Sequence, residues 1–463
     1  MMQLRHFGNT ANNAYYNALL LGQYADIPSQ LPIRMFGLEH AISAPAWESA
    51  DFEVPGAEWV HRPDWSTVPG AVAVNSKFTD LTAPSAAGDV APQSGGRGLS
   101  GHMMSVARAI LLPLYGKRWA QPIFDASYRM VLARRPRLSP ISGVVDVLYG
   151  ADSLIHLKVP PNPRTTAYLE HGTVRWIADG GRESAVLRKA YRKQIEEAMQ
   201  LWVTNLDPRT IEIAEEVAPG RWTALPHPYT LDDRVPFAGS APRRKAILEQ
   251  TSSSSLVLLP SSQNWSKHHD KGSKKALTAF VELRRSGVDV GLVAVEWGLQ
   301  LAESRSFLEE AGVGGKVAWV PPMARLSLQR MMADVDVVWD QFGLDAFGAL
   351  ALRAVEQGTP LVSRGLAPIG EQLIGGPVPW HHAATTEEIV RQTTGVLRDI
   401  AERGRDVVIG ETRSRYRAWL LERHSPELTA QLQSEVYARM AEGTFERGVA
   451  SPDQWARLLQ QSP

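Results

Sequence analysis

Between residues 256 and 363, short apolar runs alternate with stretches of helical period, and no other feature restricts the fold as much. Leu256-Val257-Leu258-Leu259 reads as a strand followed by a polar loop over 260–272. A helix over 273–285 leads to Gly287 and a strand at 290–295; a helix over 301–311 leads to Gly312 and a strand at 316–320. The series continues with a helix at 327–333, a strand at 335–339, a helix at 349–357 stopped by Gly358 and Pro360, and a strand at 361–363. Strands separated by crossover helices align in parallel, with helices on both faces of the sheet.

The first half opens the same way, with a strand at 3–7, a tight polar loop at 8–12 and a helix at 13–21. Further strands are expected at 144–149, 166–169 and 201–204, the last preceded by a long helix over 183–199. Segment 82–102, rich in Ala, Pro, Ser and Gly, reads as a flexible loop. Pro228, Pro236, Gly239 and Pro242 place a boundary within 228–244. The expected division is therefore an α/β, Rossmann-like domain at 1–235 and a second at 236–410. Helices at 411–463 then close on their own domain or cross to its neighbour. Among them, Ser425 before Pro426 and Glu427 is an N-cap with proline at the first helical position, starting a helix that runs to about 440.

Charge and composition remove several function classes. Lys plus Arg number 49 and Asp plus Glu 49, so the electrostatic footprint of a nucleic-acid binder is missing. With no cysteine there is no disulfide framework, zinc-thiolate site or thiol nucleophile. The apolar run at 109–115 is far shorter than the roughly 20 residues of a membrane span. The polar residues that follow Arg5 and His6 do not form a secretory signal, so a cytoplasmic protein is expected.

The stretch Asp336-Val337-Val338-Trp339-Asp340-Gln341-Phe342-Gly343-Leu344-Asp345-Ala346-Phe347-Gly348 runs from strand through polar loop to helix start. Open α/β sheets bind ligands beyond the carboxyl ends of their strands, where the first amides of the next helix can cradle phosphate. Asp345 there either grips sugar hydroxyls or caps the helix. Lys271, before Gly272, and Lys267 upstream either neutralise a diphosphate or sit in a solvated loop. His171, after a strand end and before Gly172, is either a site residue or a satisfied core histidine. His268-His269 and His381-His382 do not have the spacing of metal ligands, and no H-E-x-x-H, phosphate-loop or dinucleotide fingerprint occurs.

Together these motifs resemble the nucleotide-sugar glycosyltransferases of the GT-B architecture, and among them glycosyltransferase family four. The Lys-Gly loop, Glu296 and Gly298 after a strand, Pro321-Pro322-Met323 and Asp340-Gln341 carry the resemblance. Phe7-Gly8-Asn9-Thr10-Ala11-Asn12-Asn13 and His171-Gly172-Thr173-Val174-Arg175 extend it into the first half. It implies two Rossmann-like domains facing a central cleft and a UDP- or GDP-sugar donor. It also implies a glycan or lipid-linked acceptor, retention of configuration, and neither cofactor nor metal. His171 then faces the transferred sugar, Asp345 takes its hydroxyls, and Lys267 and Lys271 bind the diphosphate. Gly8 and Asn9 offer their groups to donor or acceptor. Asp345 stands at the first Glu of the family's E-x7-E motif, whereas Arg353 replaces the second, which would read ribose. Either Glu356, one turn later, is the substitute, or Arg353 meets an extra phosphate. The replacement keeps two alternatives open, a catalytically silent GT-B protein that binds a glycan or partner, and a sugar-nucleotide epimerase.

Segment 103–140 carries seven cations against one acid, interleaved with apolar residues. It reads as a peripheral contact with anionic lipid at the inner face of a membrane, or as a solvated helix pair.

Overall fold

The computed structural model describes residues 2–7, 13–27, 29–30, 60–61, isolated positions between 122 and 133, 143–150, 164–170, 174–175, 177, 185–229, 241–265, 271–321, 323, 325–448 and 450–461. Two parallel sheets organise them. The first is ordered β3-β2-β1-β4-β5-β6-β7, from β1 (Gln3–Phe7), β2 (Ser29–Gln30), β3 (Val60–His61), β4 (Val144–Tyr149), β5 (Thr166–Glu170), β6 (Gln200–Val203) and β7 (Trp222–Ala224). Among the described residues, helices α1 (Asn13–Ala25), α2 (Ala185–Glu197) and α3 (Pro208–Val217) lie among these strands. The α3 helix starts at Asp207, whose carboxylate accepts from the amide of Thr210 at 3.2 Å, with Pro208 at the first helical position.

The second sheet is ordered β10-β9-β8-β11-β12-β13. Its strands are β8 (Ser255–Leu259), β9 (Val290–Val295), β10 (Val317–Val320), β11 (Val337–Trp339), β12 (Leu361–Ser363) and β13 (His381–His382). Helix α4 (Ala241–Thr251) leads into it, and α5 (Ser273–Arg285), α6 (Leu301–Glu310), α7 (Arg325–Asp334), α8 (Ala349–Gln357) and α9 (Pro368–Leu373) connect the strands. Every pairing in both sheets is parallel. The apolar runs explain this, because β8, β9 and β11 are buried on both faces, as strands between two helical layers must be. At the amino edge of this sheet Asp336 accepts from Arg244, Arg405 and the Leu256 amide at 2.9, 3.0 and 2.8 Å, tying four segments together.

The chain ends in α10 (Thr386–Arg403), α11 (Arg405–Arg423), α12 (Pro426–Glu442) and α13 (Gln454–Gln461). Ser425 caps α12 as its sequence suggests, accepting from Leu428 N at 3.2 Å. This helix packs on α1 and β4 of the first sheet, while α13 lies on β7. A fully buried polar network fixes the docking. Asn17 and Gln433 exchange amide hydrogen bonds at 2.9 Å, and Asn17 also donates to Tyr149 Oη at 2.8 Å, which lies 2.8 Å from His6 Nδ1. A satisfied network of this kind permits one seating of α12, because any shift orphans several buried groups at once.

Candidate functional site

Strand order reverses between β8 and β11, so the loops leaving those two strands flank the position where open α/β sheets take ligands. The two loops are joined. The carbonyl of Lys271 accepts from the amides of Phe342 and Gly343 at 2.7 and 3.1 Å. Gly272 has φ +80° and lies so close that a Cβ would stand 2.6 Å from that of Phe342, so only glycine fits. Asp340 is buried at the exit of β11 and accepts from Ser261 Oγ at 3.1 Å. Burial pushes its carboxyl pKa up, opposed by the nearby charge of Lys271.

Further bonds fix the shape of the loop after β11. Gln341 Nε2 donates to the carbonyl of Ala346 at 2.6 Å, Arg364 N to the carbonyl of Gln341 at 3.2 Å, and Lys275 Nζ to that of Phe342 at 3.3 Å. Asp345 lies in this loop, paired with the Arg364 guanidinium through two bonds of 2.5 and 2.7 Å. It is not the helix cap. Gly348 holds that position with no side-chain bond, leaving the amino end of α8 without a side-chain cap. On the other flank, Gln263 N donates to the carbonyl of Trp297 and Gln300 N to that of Gln263, both at 2.8 Å, so the exits of β8 and β9 form one platform.

Arg353 and Glu356 are buried, at 4% and 8% exposure. Glu356 Oε2 accepts from Arg353 at 3.1 Å and from Gln329 at 2.6 Å. The Arg353 guanidinium lies 4.2 Å from the Tyr229 ring centre and 5.6 Å from that of Tyr16. Burial would lower its pKa, but Tyr229, Glu356 and Tyr16 raise it above the ordinary value. A ribose role for Glu356 would compete with these bonds at its Oε2.

The carboxyl edges of the two sheets face each other. Gly370 in α9 approaches the Leu206 carbonyl beyond β6 so closely that a Cβ would lie 2.6 Å from it. His424 Nε2 donates to the carbonyl of His227 at 3.0 Å, and its ring stacks on Trp419 with 5.6 Å between centres. Trp419 meets Trp380, and Trp380 meets Phe347 edge-on at 5.2 Å. The loop after β11 thus touches the junction through Phe347.

Of the residues the sequence singled out, Lys271, Asp345, Arg353 and Glu356 all belong to or adjoin this carboxyl edge. Gly8, Asn9, Lys267, His171, His268 and His269, with segment 82–102 and most of 103–140, lie outside the described residues. His381 and His382 form β13, where neighbouring side chains point to opposite faces. Among the described residues no three His, Asp or Glu side chains gather to hold a metal ion. No described helix is long and apolar enough to cross a membrane. Arg364 was not legible as a site residue; it follows a three-residue strand and carries no motif. Ser261 lay in a loop with only its polarity as a signal.

The whole arrangement matches solved structures. A sucrose-phosphate synthase from Thermosynechococcus elongatus aligns over 95% of this chain and 99% of that one, with TM-score 0.51 and 12% identity. A glycosyltransferase from Rickettsia africae aligns over 95% and 98%, with TM-score 0.50 and 9% identity. The chain has the GT-B fold. Neither a family model nor a curated protein matches its sequence. In a GT-B fold the two facing carboxyl edges are the walls of the cleft, so the Lys271 clamp, Asp345 and the open end of α8 all lie on the wall formed by the second domain.

Proposed function

We propose that the protein is a glycosyltransferase that moves a sugar from a nucleotide diphosphate donor to a glycan or lipid-linked acceptor, with retention of configuration. The observation that carries this reading is the clamp of Lys271 on the loop after β11, the loop that leads into the amino end of α8, which has no side-chain cap. A lysine and a helix amino end carried on the two loops that flank the strand-order reversal suit a diphosphate leaving group. In this reading the bond from the sugar's anomeric carbon to the β-phosphate oxygen breaks, and the acceptor oxygen takes its place. The departing phosphate accepts the acceptor's proton, so no protein base is needed. Asp345 takes sugar hydroxyls, and His171 and Lys267 belong to the same site through the family resemblance alone. The basic and apolar segment 103–140 would bring a lipid-linked acceptor to the first domain. Its test is sedimentation with anionic vesicles, which should fade with salt.

Calorimetry with UDP, GDP and their sugars, followed by acceptor-dependent nucleotide release, tests the central claim. Binding of a nucleotide diphosphate and turnover only with acceptor are expected. Donor isomerisation without acceptor would instead identify an epimerase. The buried Arg353–Glu356 pair favours a second reading, a silent GT-B protein, whose mark would be ligand binding without turnover.

A further inference from the structure

Arg364 is the residue that gives Asp345 its orientation. Asp345 is on neither a helix nor a strand; it projects from the loop between β11 and α8, so its side chain gets no direction from regular secondary structure. What fixes it is a planar guanidinium that donates from Nε to one carboxylate oxygen at 2.5 Å and from Nη2 to the other at 2.7 Å. This fork matches a carboxylate in one relative orientation only, which a lysine cannot reproduce. Arg364 is itself anchored, because it leaves β12 directly and its amide bonds the Gln341 carbonyl in the loop that bears Asp345. One residue therefore holds the loop by its backbone and the carboxylate by its side chain. A carboxylate offers about four acceptor positions, and the fork occupies two, one on each oxygen. The remaining two lie one on each oxygen, a spacing suited to two adjacent hydroxyls of a sugar ring. The pair is about a quarter exposed, so the carboxylate is not sealed from a ligand.

We propose that Arg364 is a positioning residue that aims Asp345 at a vicinal diol of the donor sugar. The proposal rests on the glycosyltransferase reading above and adds a residue and a geometry to it. Arg364 itself touches no substrate in this account; it acts through Asp345.

The test is a double-mutant cycle on R364K, R364A, D345A and R364A/D345A, in the full chain, read by calorimetry. The quantity followed is how much tighter a nucleotide sugar binds than the bare nucleotide diphosphate, using UDP with UDP-glucose and GDP with GDP-mannose. R364A and R364K should each cut that sugar contribution about ten-fold while leaving affinity for the bare nucleotide and the melting temperature nearly unchanged. The double variant should be no worse than D345A. Equal loss of bare-nucleotide affinity and melting temperature in R364A would make the pair a structural strut and overturn the proposal. So would additive effects in the double variant, or a sugar contribution that R364K retains in full. If the unaltered protein binds no nucleotide at all, the glycosyltransferase reading fails first. If it binds nucleotides with no gain from the sugar, the positioning role alone fails.

Discussion

The Arg353 guanidinium lies 4.2 Å from the centre of the Tyr229 ring, joining a helix of the second domain to the segment that leaves β7 of the first. The same guanidinium pairs with Glu356, and both are buried. The position where the sequence resemblance would put a ribose-reading carboxylate is occupied here by an interdomain contact.

Arg353→Ala should therefore destabilise the protein by about 3–5 kcal/mol, because it strands the Glu356 carboxylate away from water. Arg353→Met, combined with Glu356→Gln, removes both charges and should cost much less. Urea unfolding of the three proteins checks this. Equal stability of Arg353→Ala and the unaltered chain would show that the pair is not held as described.

Lys271→Ala should weaken binding of a nucleotide diphosphate by about 10- to 100-fold, the equivalent of one charge-assisted hydrogen bond. Folding should be nearly unaffected, since the backbone carbonyl of Lys271, not its ammonium, holds Phe342 and Gly343. Calorimetry paired with thermal melting separates the two. Unchanged affinity would remove Lys271 from the site.

Gly272→Ala should do the opposite and damage both together. Its backbone is left-handed, and the added methyl would meet Phe342 at 2.6 Å, forcing the two loops apart. A loss of about 1–3 kcal/mol in stability, with nucleotide affinity falling in parallel, is expected. Retained affinity would mean that the clamp does not shape the site.

Stability should fall on acidification below pH 6.5. Burial holds the His227 pKa down to about 4, helped by the Arg353 charge, and those of His424 and His6 down to about 3. These imidazoles stay neutral in the folded protein while those of the unfolded chain take up protons near their usual pKa of about 6.5. The stability present above that value is lost as pH descends toward about 4 for His227 and about 3 for the other two. Each contributes up to about 1.4 kcal/mol per pH unit in that window. Urea unfolding at pH 7 and pH 5 should show the decline, and His424→Gln should make it shallower. A pH-independent midpoint would contradict neutral burial.

The second sheet was legible as far as β12 because those strands are mostly apolar and punctuated by glycines, which is what burial between two helical layers demands of Val257, Leu292 and Val338, whereas the two histidines of edge strand β13 carry no such signal. The cap at Ser425 was legible for an equally local reason. Two other helix starts carried similar signatures without being expected. Asp207 precedes Pro208, and Thr385 with Glu388 forms a capping box. The sequence singles out Lys271, Asp345 and Arg353 because a motif spacing marks them. What the sequence could not display was pairing across space. That Arg364 takes Asp345, or that Arg353 takes Tyr229, depends on which strand exits adjoin, and nothing local encodes it. Asp345 looked as much like a helix cap as a ligand group until Gly348 proved to hold the cap position.

The return of α12 to the first sheet has a consequence for the order of folding. Asn17 and Gln433 are 416 positions apart, and the network they share closes the layer over α1 and β4. The nascent chain exposes that apolar surface early, while the helix that covers it is synthesised only after the whole second sheet. The second domain, whose sheet lies within 255–382, can assemble before the first is complete. The sheet that is made first is thus covered only after the sheet that follows it.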